Sequence, residues 1–116
     1  MITAQINLYL FIYNSIKKDF DIISINKERL EIPNIEIIDS KNSIKNYLDS
    51  IRDNVTIDCK LNYRLYNNII IENTLHCIYF SVIPDNSKLK DGIFRLPIKD
   101  YAIHSPNIQQ IMQIIK

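Results

Sequence analysis

The chain has 116 residues, 14 basic against 13 acidic, 47% apolar, with two cysteines and one glycine. That length predicts one domain over 1–116, and such a chain buries roughly two-thirds of its surface without disulfide or metal staples. A net charge of +1 leaves no electrostatic footprint for a nucleic acid or a membrane surface. The lone glycine, Gly92, excludes more. A P-loop requires two glycines at fixed spacing and a dinucleotide fingerprint three, so neither phosphate cradle can form.

The 26 isoleucines, 13 asparagines and 10 lysines are the bias expected of an AT-rich genome. Their apolar members recur in periodic runs, so the composition is that of a folded chain and not a disordered one. The apolar stretch 6–13 is far shorter than the about 20 residues of a membrane span. No basic residue precedes it and no small-residue cleavage site follows, so no signal peptide is expected. An intracellular or virion-associated location follows, with Cys59 and Cys77 reduced. Those cysteines lack metal-type spacing, and His76 beside Cys77 points to the opposite face of a strand.

In chain order, 6–13 is apolar on both faces, the pattern of a central strand covered on both sides. Residues 20–25 form a second strand, and 35–38, after Pro33, an edge strand or irregular extended segment. A helix follows over 43–55, capped by Ser40 or Ser43, with Ile44, Leu48, Ile51 and Val55 in one stripe. The period then changes to two. Residues 57–66 predict a half-buried strand, Asn67 and Asn68 a turn, 69–71 a short apolar run, and 74–83 a strand buried on both faces. After a loop ending at Gly92, 93–98 is a strand broken by Pro97. Ser105 and Pro106 open a C-terminal helix. Strands, helix, strands, helix is the order of an α+β domain with a mixed sheet flanked by helices.

Three constellations could carry chemistry. Asp49 and Asp53 stand one turn apart on the helix, as metal ligands or as solvated charges beside Lys45 and Arg52. Glu31 and Glu36, with Glu28, surround Pro33, where they could add ligands or keep an edge soluble. Lys60, Arg64 and Tyr66 share a strand face with Asn62, a pattern that can grip a nucleic-acid backbone and stack a base, or simply face water. His76 reads as a hydrogen-bonded core histidine and His104 as a loop residue. The 69–71 run and Ile114-Ile115 would be aggregation hazards if left open, so they are core or covered by a partner.

This order and punctuation resemble the Nudix family over nearly the whole chain. Leu30-Glu31-Ile32-Pro33-Asn34 stands where that family has a Pro-Gly-Gly turn. Residues 43–55 look like its motif helix, 57–66 and 74–83 like its long strand pair, and 93–102 like its strand with an aromatic and a proline. The resemblance implies an α/β/α sandwich. It would also imply Mg²⁺-assisted hydrolysis of a nucleoside diphosphate linked to another moiety, but the motif departs. Asn34 and Ile35 replace the two glycines, and the helix has no glutamate. Asp49 and Asp53 fall on the first and last glutamate positions, with Arg52 where the central one belongs.

The expectation is therefore a non-catalytic domain, not an enzyme, without cofactor, serving as an interaction or structural subunit of a phage, viral or organellar assembly. Its partner would be a protein or a second copy, with nucleic acid a weaker candidate and no membrane. One alternative is a small Mg-dependent hydrolase using Asp49, Asp53 and one of Glu31 or Glu36. Another is a nucleotide- or RNA-binding module that keeps the fold's cleft without its chemistry, and Lys60, Arg64 and Tyr66 would form a candidate interaction surface.

Overall fold

The computed structural model describes residues 3–38, 41–56 and 60–115. At its centre lies β1 (Thr3–Asn14), whose alternation of aliphatic side chains on both faces suits a strand covered above and below. β2 (Asp19–Ser24) and β3 (Asn34–Ile37) both pair antiparallel with β1, β2 along its last residues and β3 along its first. On the other edge β1 runs parallel to β5 (Thr74–Ile83) from Thr3↔Thr74 to Ile12↔Ile83. β4 (Arg64–Ile71) and β6 (Phe94–Pro97) complete the order β4-β5-β1-β2-β6, with β3 also on β1. Sequence order alone could not reveal the parallel β1–β5 pair, because its partners are far apart in the chain.

Helices cover both faces. α1 (Ile44–Val55) is capped by Ser43, whose hydroxyl accepts from the Asn46 amide; Ser40 lies outside the described residues. Its stripe of Tyr47, Leu48, Ile51 and Val55 packs on Ile6, Leu8, Leu10 and Ile12 of β1, with Ile23 and Ile83. α3 (Pro106–Ile115) begins after Ser105, which accepts from the Ile108 amide. Its Ile108, Ile111 and Met112 cover Phe11, Ile22, Phe80 and Leu96 on the opposite face. A one-turn helix, α2 (Lys99–Ala102), precedes it; too short to show periodicity, it left no signal in the sequence. The result is the expected mixed sheet between helices, an α+β sandwich.

The expected strand 57–66 begins later than its alternation suggests. Residues 57–59 lie outside the described residues, and 60–63 are extended without a ladder. There the Ser81 hydroxyl donates to the Asn62 carbonyl, so a side chain takes the bond a neighbouring strand would have made. Nor do Asn67 and Asn68 turn. They continue β4 through a bulge between Leu65 and Asn67, and the reversal comes at Glu72 and Asn73, both with positive φ (49° and 65°). Two successive left-handed residues match the twist of a tight hairpin, and asparagine tolerates that conformation.

One carboxylate is buried in the sheet. Asp21 on β2 receives Lys17, Arg95 of β6 and Asn14, tying three strands' ends together. No helix among the described residues is long and apolar enough to cross a membrane.

Candidate functional site

The acidic residues on α1 are neutralised from within. Asp49 takes the Lys45 ammonium at 2.9 Å, Arg52 at 3.2 Å and the Tyr63 hydroxyl, which donates at 2.9 Å. Arg52 also reaches back to Asp53 at 2.9 Å. The Lys45 hydrogen bond holds the Asp49 carboxyl below its usual range, aided by Tyr63 and Arg52 and opposed by burial. Burial and the adjoining Asp49 push the Tyr63 hydroxyl up. Tyr63 sits in the extended 60–63 segment, and its link to α1 was not legible because two distant periodic patterns meet there.

The remaining acids stand apart. Glu31 accepts from Arg29 at 2.7 Å and from Asn26, and Glu36 is exposed on β3 opposite Gln5. Among the described residues no three His, Cys, Asp or Glu side chains converge on a point that could hold an ion. The divalent cation of the resembled family needs several unengaged oxygens in near-octahedral array. Asp49 and Asp53 instead present oxygens already bound to Lys45, Arg52 and Tyr63, so this donor set does not fit one. Cys77 is half-buried and its thiol pushed up by burial, which makes it a poor nucleophile. His76 is half-buried and meets Asn7 at 3.2 Å, while His104 lies exposed in the turn before α3.

The basic residues fall differently. Lys60 and Arg64 line one cleft of about 400 Å³, walled by Asn62, Ser81, Val82 and Ile115. Its volume falls in the range of small-molecule sites. Among the described residues no aspartate or glutamate lines it. The Arg64 guanidinium stands 5.4 Å from the ring centre of buried Phe80, a cation–π contact that fixes its direction without consuming its hydrogen-bond donors. Tyr66, expected beside them, is absent from the cleft: its hydroxyl donates to Gln110 of α3 and ties the sheet to that helix. The bulge after Leu65 explains the separation, since one extra residue breaks the strict alternation that would have aligned Arg64 and Tyr66. Val82 and Ile115 could not have been placed at the cleft from sequence, because Val82 reads as core and Ile115 as core or covered by a partner.

No protein-family model matches the sequence, and no curated protein does. Solved structures do. The NUDIX domain of Shewanella oneidensis NrtR, determined with ADP ribose, aligns with 100% of this chain and 90% of its own at 11% identity, TM-score 0.62. The C-terminal domain of mouse MUTYH, determined with human PCNA, aligns at 10% identity over 99% and 88%, TM-score 0.69. The C. elegans Ap4A hydrolase aligns at 7% identity over 100% of both chains, TM-score 0.62.

The chain thus has a Nudix-like fold. The comparison overturns the expectation that it is not an enzyme. The fold is shared with Nudix hydrolases, several of which match, and those proteins are enzymes. The glycine count misled because two missing glycines report on one turn. The sheet and its covering helices, which define the fold, do not depend on them. At these identities it is the fold that is shared.

Proposed function

We propose that the protein is a hydrolase acting on a nucleoside diphosphate linked to another moiety, and that the cleft beside β4 holds the phosphates. The observation that carries this is the cleft itself: two cations and an apolar wall in about 400 Å³, with no carboxylate among the described residues that line it. Phosphate oxygens would take the donors of Arg64 as a fork and Lys60 as a point charge. The apolar wall suits the uncharged part of such a ligand. The fold supports the same ligand class, since one neighbour was determined with ADP ribose and another is an Ap4A hydrolase.

Hydrolysis of such a linkage puts water's oxygen on phosphorus as the bond to the leaving phosphate oxygen breaks. Cations fixed beside the phosphates favour that step by stabilising the charge that gathers there. The described acids do not fit a divalent ion, so no step is assigned to one.

Turnover and affinity across a panel of nucleoside diphosphate derivatives test the reading. Arg64→Ala should weaken binding roughly 10- to 100-fold, the loss of a hydrogen bond to a charged group, and raised salt should weaken the wild type. Absence of binding and turnover across the panel, or binding indifferent to both Arg64→Ala and Lys60→Ala, would overturn it.

A further inference from the structure

β4 is the last strand of the sheet, and among the described residues nothing pairs with its outer edge. Such an edge offers a row of backbone N–H and C=O groups to another chain, and proteins usually blunt it with lysine, proline or inward-facing charge. Residues 65–71, Leu-Tyr-Asn-Asn-Ile-Ile-Ile, contain none of these. The only irregularity is the bulge near the start, which leaves 67–71 in regular register.

The side chains are as open as the backbone. The pairing sets Leu65 opposite Tyr79 and Ile70 opposite Leu75, on the face that α1 covers elsewhere. α1 lies mainly over β1 and β3. Leu65 and Ile70 are accordingly 52% and 61% exposed, and Ile71 on the other face is 53% exposed.

The ends of the strand decide what covers it. Arg64 opens β4 and Glu72 follows its last residue, with no charge between them. Neither is in an ion pair among the described residues. An antiparallel second copy brings the Arg64 end of each strand to the Glu72 end of the other, whereas a parallel copy sets like beside like. We infer that the protein forms a two-fold homodimer in which β4 pairs antiparallel with β4 of a second copy, continuing the sheet through both subunits. Two-fold pairing of one patch with itself is the commonest closed assembly.

Sedimentation over the micromolar range tests this. The wild type should show a monomer–dimer equilibrium. Ile70→Lys, which adds a charge at an exposed site outside the cleft, should weaken it at least about 10-fold, and remove the concentration dependence of the thermal midpoint, while leaving circular dichroism and nucleotide affinity unchanged. Glu72→Arg should weaken the dimer too, because it sets cation beside cation at both ends of the paired strands. A wild type that stays monomeric, a dimer indifferent to Ile70→Lys, or a β4 edge that pairs only with another protein's strand would overturn the inference.

Discussion

On α1, Asp49 faces Lys45, Arg52 and Tyr63, and Asp53 faces Arg52, so their charge is balanced inside the molecule. At the cleft, Arg64 rests on Phe80 and no carboxylate shares the lining among the described residues. The first patch is what the family resemblance directs attention to, because it occupies the motif helix. In the second, the ring beside Arg64 leaves that cation's hydrogen-bond donors unconsumed. An acid already surrounded by donors contributes to stability, whereas a cation held by a ring remains a donor for an anion.

The largest expected effect marks the limit of internal balance. Asp21→Ala removes the one buried carboxylate facing Lys17 and Arg95, with its side chain 5% exposed. It should cost about 2–3 kcal/mol in urea unfolding, because hydrogen bonds to a charged group are lost and the partly buried arginine is left without its partner. A cost under about 1 kcal/mol would show that Lys17 and Arg95 rehydrate freely. Next, Val82→Asp places a carboxylate in a cleft that has none among the described residues. Affinity for a nucleoside diphosphate derivative should fall about 10-fold by calorimetry, a coupling of about 1.4 kcal/mol, and unchanged affinity would break the contrast between the two patches.

Asp49→Asn should cost about 1 kcal/mol of stability while leaving ligand affinity alone; lost affinity would join the two patches into one site. The same residue gives a pH signature. Its carboxyl lies below the ordinary range when folded. Its stabilisation is therefore complete above the unfolded value of about 3.9 and is lost as pH falls through the lower folded value. Wild-type and Asp49→Asn unfolding curves should differ at neutral pH and converge in strong acid. Smallest of all, Lys45→Ala removes an ammonium 76% exposed and should cost only about 0.3–0.5 kcal/mol.

Much of the scaffold could be read directly. The two-faced pattern of 6–13 places a central strand, the stripe on 44–55 a helix against it, and Ser105-Pro106 the start of the last helix. These signals are local, set by period and capping, and packing agreed with them. The errors arose where a long-range bond overrode a local pattern. Residues 60–63 alternate like a strand, yet Ser81 and Asp49 hold them without a ladder. Asn67-Asn68 has turn composition, yet the strand bulges through it and turns at Glu72 and Asn73. For the site, Lys60 and Arg64 were legible as a pair. Tyr66 was misplaced by the bulge, and the cleft's apolar wall came from a strand and a helix whose meeting no sequence period encodes.

The parallel pairing of β1 with β5 also sets a clock. β1 ends at Asn14 and its partner is complete only at Ile83. At about 5–20 residues per second, a ribosome takes roughly 3–14 s to supply it. Through that interval a strand apolar on both faces has only β2 and β3 beside it, and the helix stripe of α1 can cover just one side. Contacts this distant in sequence favour slow folding. The newborn chain's exposure to chaperones and to self-association is thus written into the order in which its strands emerge.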